Sequence, residues 1–171
     1  SVNGESILGH DRLGPWTTWS ARILYQCYDV TELVTSGQAI TVGVTLGNGQ
    51  YRSKYSHAWA KGSIPLAFTF GMHVTFINGS TAVFGSTAAP GWKAALTPAS
   101  GVTSTDVYAG ENFNASAVQP GWDRPEFNDA GWVSVSKLDP TSVPLSDTLS
   151  VHAYAPIRSI REVAPINVTH V

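Results

Sequence analysis

Apolar and polar positions alternate along much of this chain, and the alternating runs are rich in β-branched and aromatic residues. Residues 23–28, 39–46, 66–77 and 148–154 all read as strands on this pattern. Turn chemistry separates them, at Val2-Asn3-Gly4, Gly47-Asn48-Gly49, Asn78-Gly79-Ser80 and Ala89-Pro90-Gly91. The Asn78-Gly79 pair between two strand runs predicts a two-residue hairpin, because Asn-Gly tolerates φ > 0 at both central positions. No amphipathic helix of useful length is legible. The best helical fragment is residues 29–34, where Asp29 can cap a first turn with Glu32 three residues on. Residues 131–144 read as a surface loop. Many short strands, frequent Gly and Pro and no helical spacing predict an all-β fold, an antiparallel β-sandwich of jelly-roll type.

Length and composition narrow this further. The 171 residues suffice for one domain with a real core, so residues 1–171 are read as a single unit. Charged residues are 13% of the chain, against about 25% in an average soluble domain. A net charge of -2 and the lack of a basic patch argue against nucleic acid. No apolar run approaches the roughly 20 residues of a membrane span. Ser1 reads as an arbitrary start, any leader having been removed. Three sequons, Asn78-Gly-Ser, Asn114-Ala-Ser and Asn167-Val-Thr, occur in a chain poor in charge, and together they predict a secreted glycoprotein. The single cysteine, Cys27, lies in an apolar run and is expected to be a buried small hydrophobe.

Candidate chemistry concentrates in residues 106–122. Asp106, Glu111, Asn112 and Asn114 stand there beside Tyr108, Phe113 and Trp122. Carboxylates and amides hydrogen-bond sugar hydroxyls, while an aromatic face packs on the apolar side of the ring. The same oxygens suit Ca2+, and Asx and Gly residues also build plain turns. On residue types alone all three readings stay open. Gly47-Asn48-Gly49-Gln50-Tyr51-Arg52 is a second polar cluster at a strand end, either a ligand loop or a turn. Asp106 and Glu111 could supply the two carboxylates of glycoside hydrolysis, but nothing in the sequence sets their separation. No G-x-S-x-G elbow and no zinc spacing of histidines occurs. His73, within a strand run, reads as structural, and His170 as solvated. The six tryptophans, Trp16, Trp19, Trp59, Trp92, Trp122 and Trp132, are first core packing and second sugar platforms.

Several segments stand in a telling order: residues 25–33 (YQCYDVTEL), 46–52 (LGNGQYR), 106–111 (DVYAGE), 119–122 (QPGW), 127–132 (FNDAGW) and 156–158 (PIR). This order resembles the N-terminal β-sandwich domain of α-L-rhamnosidases, which is similar to a carbohydrate-binding module that takes L-rhamnose with the help of calcium. The resemblance covers nearly the whole chain. It implies a non-catalytic module for L-rhamnose on plant cell-wall polysaccharides. Asn48, Arg52, Asp106 and Glu111 would bind hydroxyls, Tyr108 or Trp122 would pack on the ring, and Asn48 and Asp106 would be Ca2+ ligands. The alternative is an accessory domain that binds no sugar and packs on a catalytic domain of its parent protein. Two departures stand out: the family usually has Trp where this chain has Gln50, and Asp-Ala-Arg where it has Asn114-Ala115-Ser116. The catalytic barrel of the rhamnosidases has no counterpart in these residues, so the resemblance implies no catalysis in this chain.

Overall fold

Ten short strands and two 3-10 turns make up the regular structure of this computed structural model, which describes residues 1–8, 11–13, 17–18, 20–49, 51–53, 65–86, 91–95, 97–139, 146, 148–155, 157–164 and 166. The strands are β1 (Asp11–Leu13), β2 (Ile23–Tyr25), β3 (Gly71–Thr75), β4 (Thr81–Gly85), β5 (Lys93–Ala94), β6 (Val102–Asp106), β7 (Gly110–Phe113), β8 (Val133–Ser134), β9 (Leu149–Val151) and β10 (Ile157–Arg158). The 3-10 turns are Thr31–Leu33 and Ala115–Ala117. The all-β expectation holds. Pairing is nested: β1 with β10, then β2 with β9, then the β3–β4 hairpin beside a β5–β8 ladder that encloses the β6–β7 hairpin. All these ladders are antiparallel except β2–β9, which is parallel. Each is two-stranded, so the described pairings alone do not trace a jelly-roll order.

The Asn-Gly turns at residues 3–4 and 78–79 resolve differently. At Asn3-Gly4 both residues take positive φ (51° and 84°), and Val2 and Glu5 exchange both backbone hydrogen bonds at 2.9 Å. This is the two-residue turn expected of Asn-Gly. At the β3–β4 tip only Gly79 is left-handed (φ 81°). The Gly79 N–H donates to the Phe76 carbonyl (2.9 Å) and the Phe76 N–H to the Ser80 carbonyl (2.8 Å). The loop is therefore three residues, Ile77–Asn78–Gly79, closed by a glycine in the bulge position, rather than the two-residue hairpin read from the sequence.

Asn3 holds the N-terminal turn in place. Its Nδ2 donates to the Leu33 carbonyl (2.8 Å), and its Oδ1 accepts from the Thr41 N–H (2.9 Å). Asn3→Ala would strand both backbone groups and place a Cβ-bearing residue without a local polar partner at φ 51°. The expected cost is about 2 kcal/mol, a fall in Tm of about 4–8 °C in a thermal melt.

Residues 39–46 do not form the expected strand. They are tied instead by an isolated bridge from Val42 to Val2 and by Ser1 and Gly43. Asp29 does anchor its turn, accepting from the Thr31 N–H (3.0 Å) and hydroxyl (2.7 Å). The Thr31 hydroxyl first, then its amide, hold the Asp29 carboxyl below its ordinary 3.8. That contribution is complete above 3.8 and is lost as pH falls through the lower folded value. Cys27 is exposed, not buried. Beyond β2 the chain still alternates, with Gln26 and Tyr28 half-buried, and Cys27 falls on the outer side. His73 sits exposed at an outward position of β3 opposite Val83; His170 lies outside the described residues.

The most deeply buried positions described are small: Val2, Gly43, Ser53, Ala99 and Gly101. Each marks a place where chain segments cross closely. Gly101 is left-handed (φ 81°), and a Cβ there would lie 2.7 Å from both the Phe113 ring and Val118. Around these points stand half-buried aromatic rings. Phe68 and Phe70 meet Trp92 edge-on (4.8 and 5.7 Å between centroids), and Phe127 meets Trp132 edge-on (5.6 Å). Trp122 stacks on Trp132 at 6.2 Å.

Candidate functional site

Two turns meet at the end of the β6–β7 hairpin. The first is described by residues 47–49 and 51–53, and the Arg52 N–H closes it by donating to the Asn48 carbonyl (3.0 Å). The second is the hairpin loop 107–109. The Ser53 hydroxyl donates to Asp106 Oδ1 at 3.0 Å, and the Val107 N–H reaches the Gly49 carbonyl at 3.5 Å. Gly47 allows the close approach. A Cβ there would collide with Thr105 Oγ1, so the absence of a side chain is used for packing against the hairpin. Gly47→Ala is expected to push the two turns apart and lower Tm by about 2–6 °C, read in the same melt.

Asp106 carries this junction. Besides Ser53, its Oδ1 accepts from the Tyr108 N–H (2.8 Å) and the Ala109 N–H (3.2 Å). One carboxylate oxygen thus shapes the hairpin loop and ties the neighbouring turn to it. Glu111 lies on β7 opposite Thr105, and its side chain is exposed; Tyr108 is exposed at the loop tip. Burial pushes the Tyr51 hydroxyl up, against the opposing pull of Arg52, so it stays a neutral O–H in ordinary buffers. The other amides singled out in the sequence are used locally. Asn112 Nδ2 donates to Ser104 Oγ (2.8 Å), and Asn114 Oδ1 accepts from the Ser116 N–H (3.0 Å). Gln50 lies outside the described residues.

Beside the junction opens a cavity of about 570 Å3, within the range of small-ligand sites. Phe68, Trp92, Trp122, Phe127 and Trp132 supply its aromatic wall, and Asn48 and Thr105 are among its polar lining. Of the residues expected from sequence, Asn48 and Trp122 line it. Arg52, Asp106, Tyr108 and Glu111 gather at the adjoining junction and do not. Thr105 Oγ1 is buried with no hydrogen-bond partner among the described residues, a state polar groups rarely keep. Sequence reasoning did not assign Trp92, Arg124 or Glu126 to this wall. Glu126 has φ 70°, uncommon for a residue other than Gly. Two ion pairs frame the rim, Lys93 with Asp129 at 2.7 Å and Arg124 with Glu5 at 3.8 Å. Arg124 and Glu126 sit in the tight Trp122–Phe127 run, W-D-R-P-E-F, whose charged residues flanking a proline were the available signal.

Residues 1–160 match the family described as alpha-L-rhamnosidase N-terminal domain. The chain belongs to that family. This rhamnosidase N-terminal domain is 30% identical, over 98% of its length, to an alpha-L-rhamnosidase of Streptomyces avermitilis. It is 26% identical over 97% of its length to one of Alteromonas sp. strain LOR, and 30% identical over 83% to one of Formosa agariphila. It spans only 16%, 17% and 15% of those three proteins. No solved structure gives a significant match to the domain. No helix among the described residues is long and apolar enough to cross a membrane.

Proposed function

We propose that this domain is a non-catalytic sugar-binding module, secreted, whose ligand is L-rhamnose displayed on plant cell-wall polysaccharides. The observation that carries the reading is the junction of residues 47–53 with the β6–β7 hairpin beside an aromatic-walled cavity. Family membership supplies the sugar. Asn48 and Thr105 offer hydroxyl partners at the inner edge, with Arg52, Asp106 and Glu111 at the outer one. Trp122 or Tyr108 packs on the apolar face and methyl group of the ring. Few ligand atoms are buried in such a site, so affinity is weak, on the order of 0.1–1 mM.

Calcium assistance belongs to the same proposal. Among the described residues no three His, Cys, Asp or Glu side chains cluster. An ion here would therefore draw on Asn48 and Asp106, with carbonyls, water and sugar hydroxyls completing the six to eight oxygens Ca2+ takes. Ion and sugar would then raise each other's affinity equally. Calorimetry with rhamnose, galactose and glucose tests the reading. Heat is expected with rhamnose alone, reduced in EDTA and restored by Ca2+ but not Mg2+. No heat with rhamnose at millimolar protein would overturn the sugar assignment. Unchanged affinity in EDTA would remove the ion only.

A second reading, an accessory domain that packs on the rest of a rhamnosidase, draws on a different observation. Val83, Phe84, Leu149, Val151, Ile157 and Ile160 are all exposed, apolar side chains that a partner domain could cover. Self-association of the isolated chain in sedimentation, together with no rhamnose heat, would favour this reading. An aryl rhamnoside assay should show no turnover under either.

A further inference from the structure

We propose that Asn78 is an N-glycosylation site and that the first sugar of its glycan packs on the ring of Phe76. The inference is independent of rhamnose binding. Asn78-Gly79-Ser80 is an acceptor sequon at the tip of the β3–β4 hairpin, where Ile77 is 94% exposed and Asn78, Gly79 and Ser80 are all exposed. The hairpin also sets the direction of the amide. Asn78 Oδ1 accepts from the Ser80 N–H (3.0 Å) and the Ser80 hydroxyl (2.7 Å). Both bonds fall on the amide oxygen, and among the described residues Nδ2 forms none.

The platform follows from register. Thr75 pairs with Thr81, and the Phe76 N–H bonds the Ser80 carbonyl, so Phe76 and Ser80 oppose each other across the last rung. Directly opposed residues in an antiparallel pair project from the same face. The hydroxyl of Ser80 thus draws the Asn78 amide toward the face that carries Phe76. Phe76 is 48% exposed, so much of its ring stands open to solvent beside the turn. A sugar joined to Nδ2 extends over that ring and removes apolar area from water. The sequon at Asn114 lacks this arrangement: the residue two before it is Asn112, whose amide is engaged with Ser104. The sequon at Asn167 lies outside the described residues.

The transfer is a substitution at the anomeric carbon of a lipid-pyrophosphate-linked oligosaccharide. The bond from that carbon to Asn78 Nδ2 forms, its bond to the phosphate oxygen breaks, the lipid pyrophosphate leaves, and the amide loses one proton to the transferase.

The test is secretion of the protein from a eukaryotic host, with intact-glycopeptide mass spectrometry and thermal melts. Asn78 is expected to carry glycan on most molecules, and Asn78→Gln to remove it. A secreted, folded protein with Asn78 unmodified overturns the proposal. For the platform, Phe76→Ala should lower Tm by about 2–4 °C more in the glycosylated protein than in an Asn78→Gln background. Phe76→Tyr, which keeps an aromatic face, should preserve the difference. Equal shifts in the two backgrounds overturn the packing of sugar on Phe76.

Discussion

Asp106→Ala is expected to lower Tm by about 4–12 °C and to abolish measurable rhamnose binding. The stability loss follows from the three donors on Asp106 Oδ1, which are Ser53 Oγ and the Tyr108 and Ala109 amides. Hydrogen bonds to a charged acceptor are worth more than neutral ones, and losing this set costs about 2–3 kcal/mol at a half-buried position. The binding loss follows because the same oxygen fixes the spacing between the 47–53 turn and the hairpin, and hence where Asn48 and Arg52 stand. Asp106→Asn separates the two effects. An amide oxygen can accept the same three bonds, so most of the stability should return. If the carboxylate charge also serves calcium or a sugar hydroxyl, binding should stay at least tenfold weaker in calorimetry. Full binding by Asp106→Asn would assign Asp106 a purely structural role.

How far this was legible in the sequence depends on the range of each determinant. The β3–β4 hairpin and the Asp29 turn are local, fixed by residues within a few positions of one another; the β6–β7 hairpin is local too, but its polar residues did not read as strands. The meeting of residues 47–53 with the 106–111 segment was expected only through the family's order of motifs. Its physical cause, Gly47 against Thr105 and Ser53 bonded to Asp106, is long-range and leaves no periodic trace. Residues 39–46 show the limit plainly. Their alternation reads as a strand, but a strand needs a partner edge, and among the described residues only Val2 supplies a bridge. Asn78-Gly79 shows another. Asn-Gly favours positive φ at both positions, yet the register of β3 with β4 leaves three residues to be spanned and moves the left-handed conformation to Gly79 alone. The aromatic wall was least legible. Tryptophans at 92, 122 and 132 each follow a glycine, and nothing in that spacing says that two of them stack.

Trp132→Ala should be the most destabilising single change in the aromatic cluster, at about 2–4 kcal/mol, while Trp122→Ala should fall mainly on sugar binding. Trp132 is engaged on several sides. It stacks with Trp122 at 6.2 Å, meets Phe127 edge-on at 5.6 Å, and donates from Nε1 to Gln119 Oε1 at 3.2 Å. Truncation removes the packing, leaves Gln119 Oε1 without that donor and widens a cavity already present. Trp132→Phe keeps a ring between Trp122 and Phe127 and gives up the hydrogen bond, so about 1–2 kcal/mol should be lost. Among the described residues Trp122 has one ring neighbour, Trp132, and it lines the cavity with Asn48. Its truncation costs stability through that stacking and its packing against Gly43, but its larger effect is to remove the surface on which a pyranose would lie. Denaturant melts and calorimetry on both variants separate these roles. The expected pattern is a large melt shift for Trp132→Ala with binding retained below the transition, and a smaller shift for Trp122→Ala with binding lost. The opposite pattern would move the sugar platform from Trp122 to Trp132.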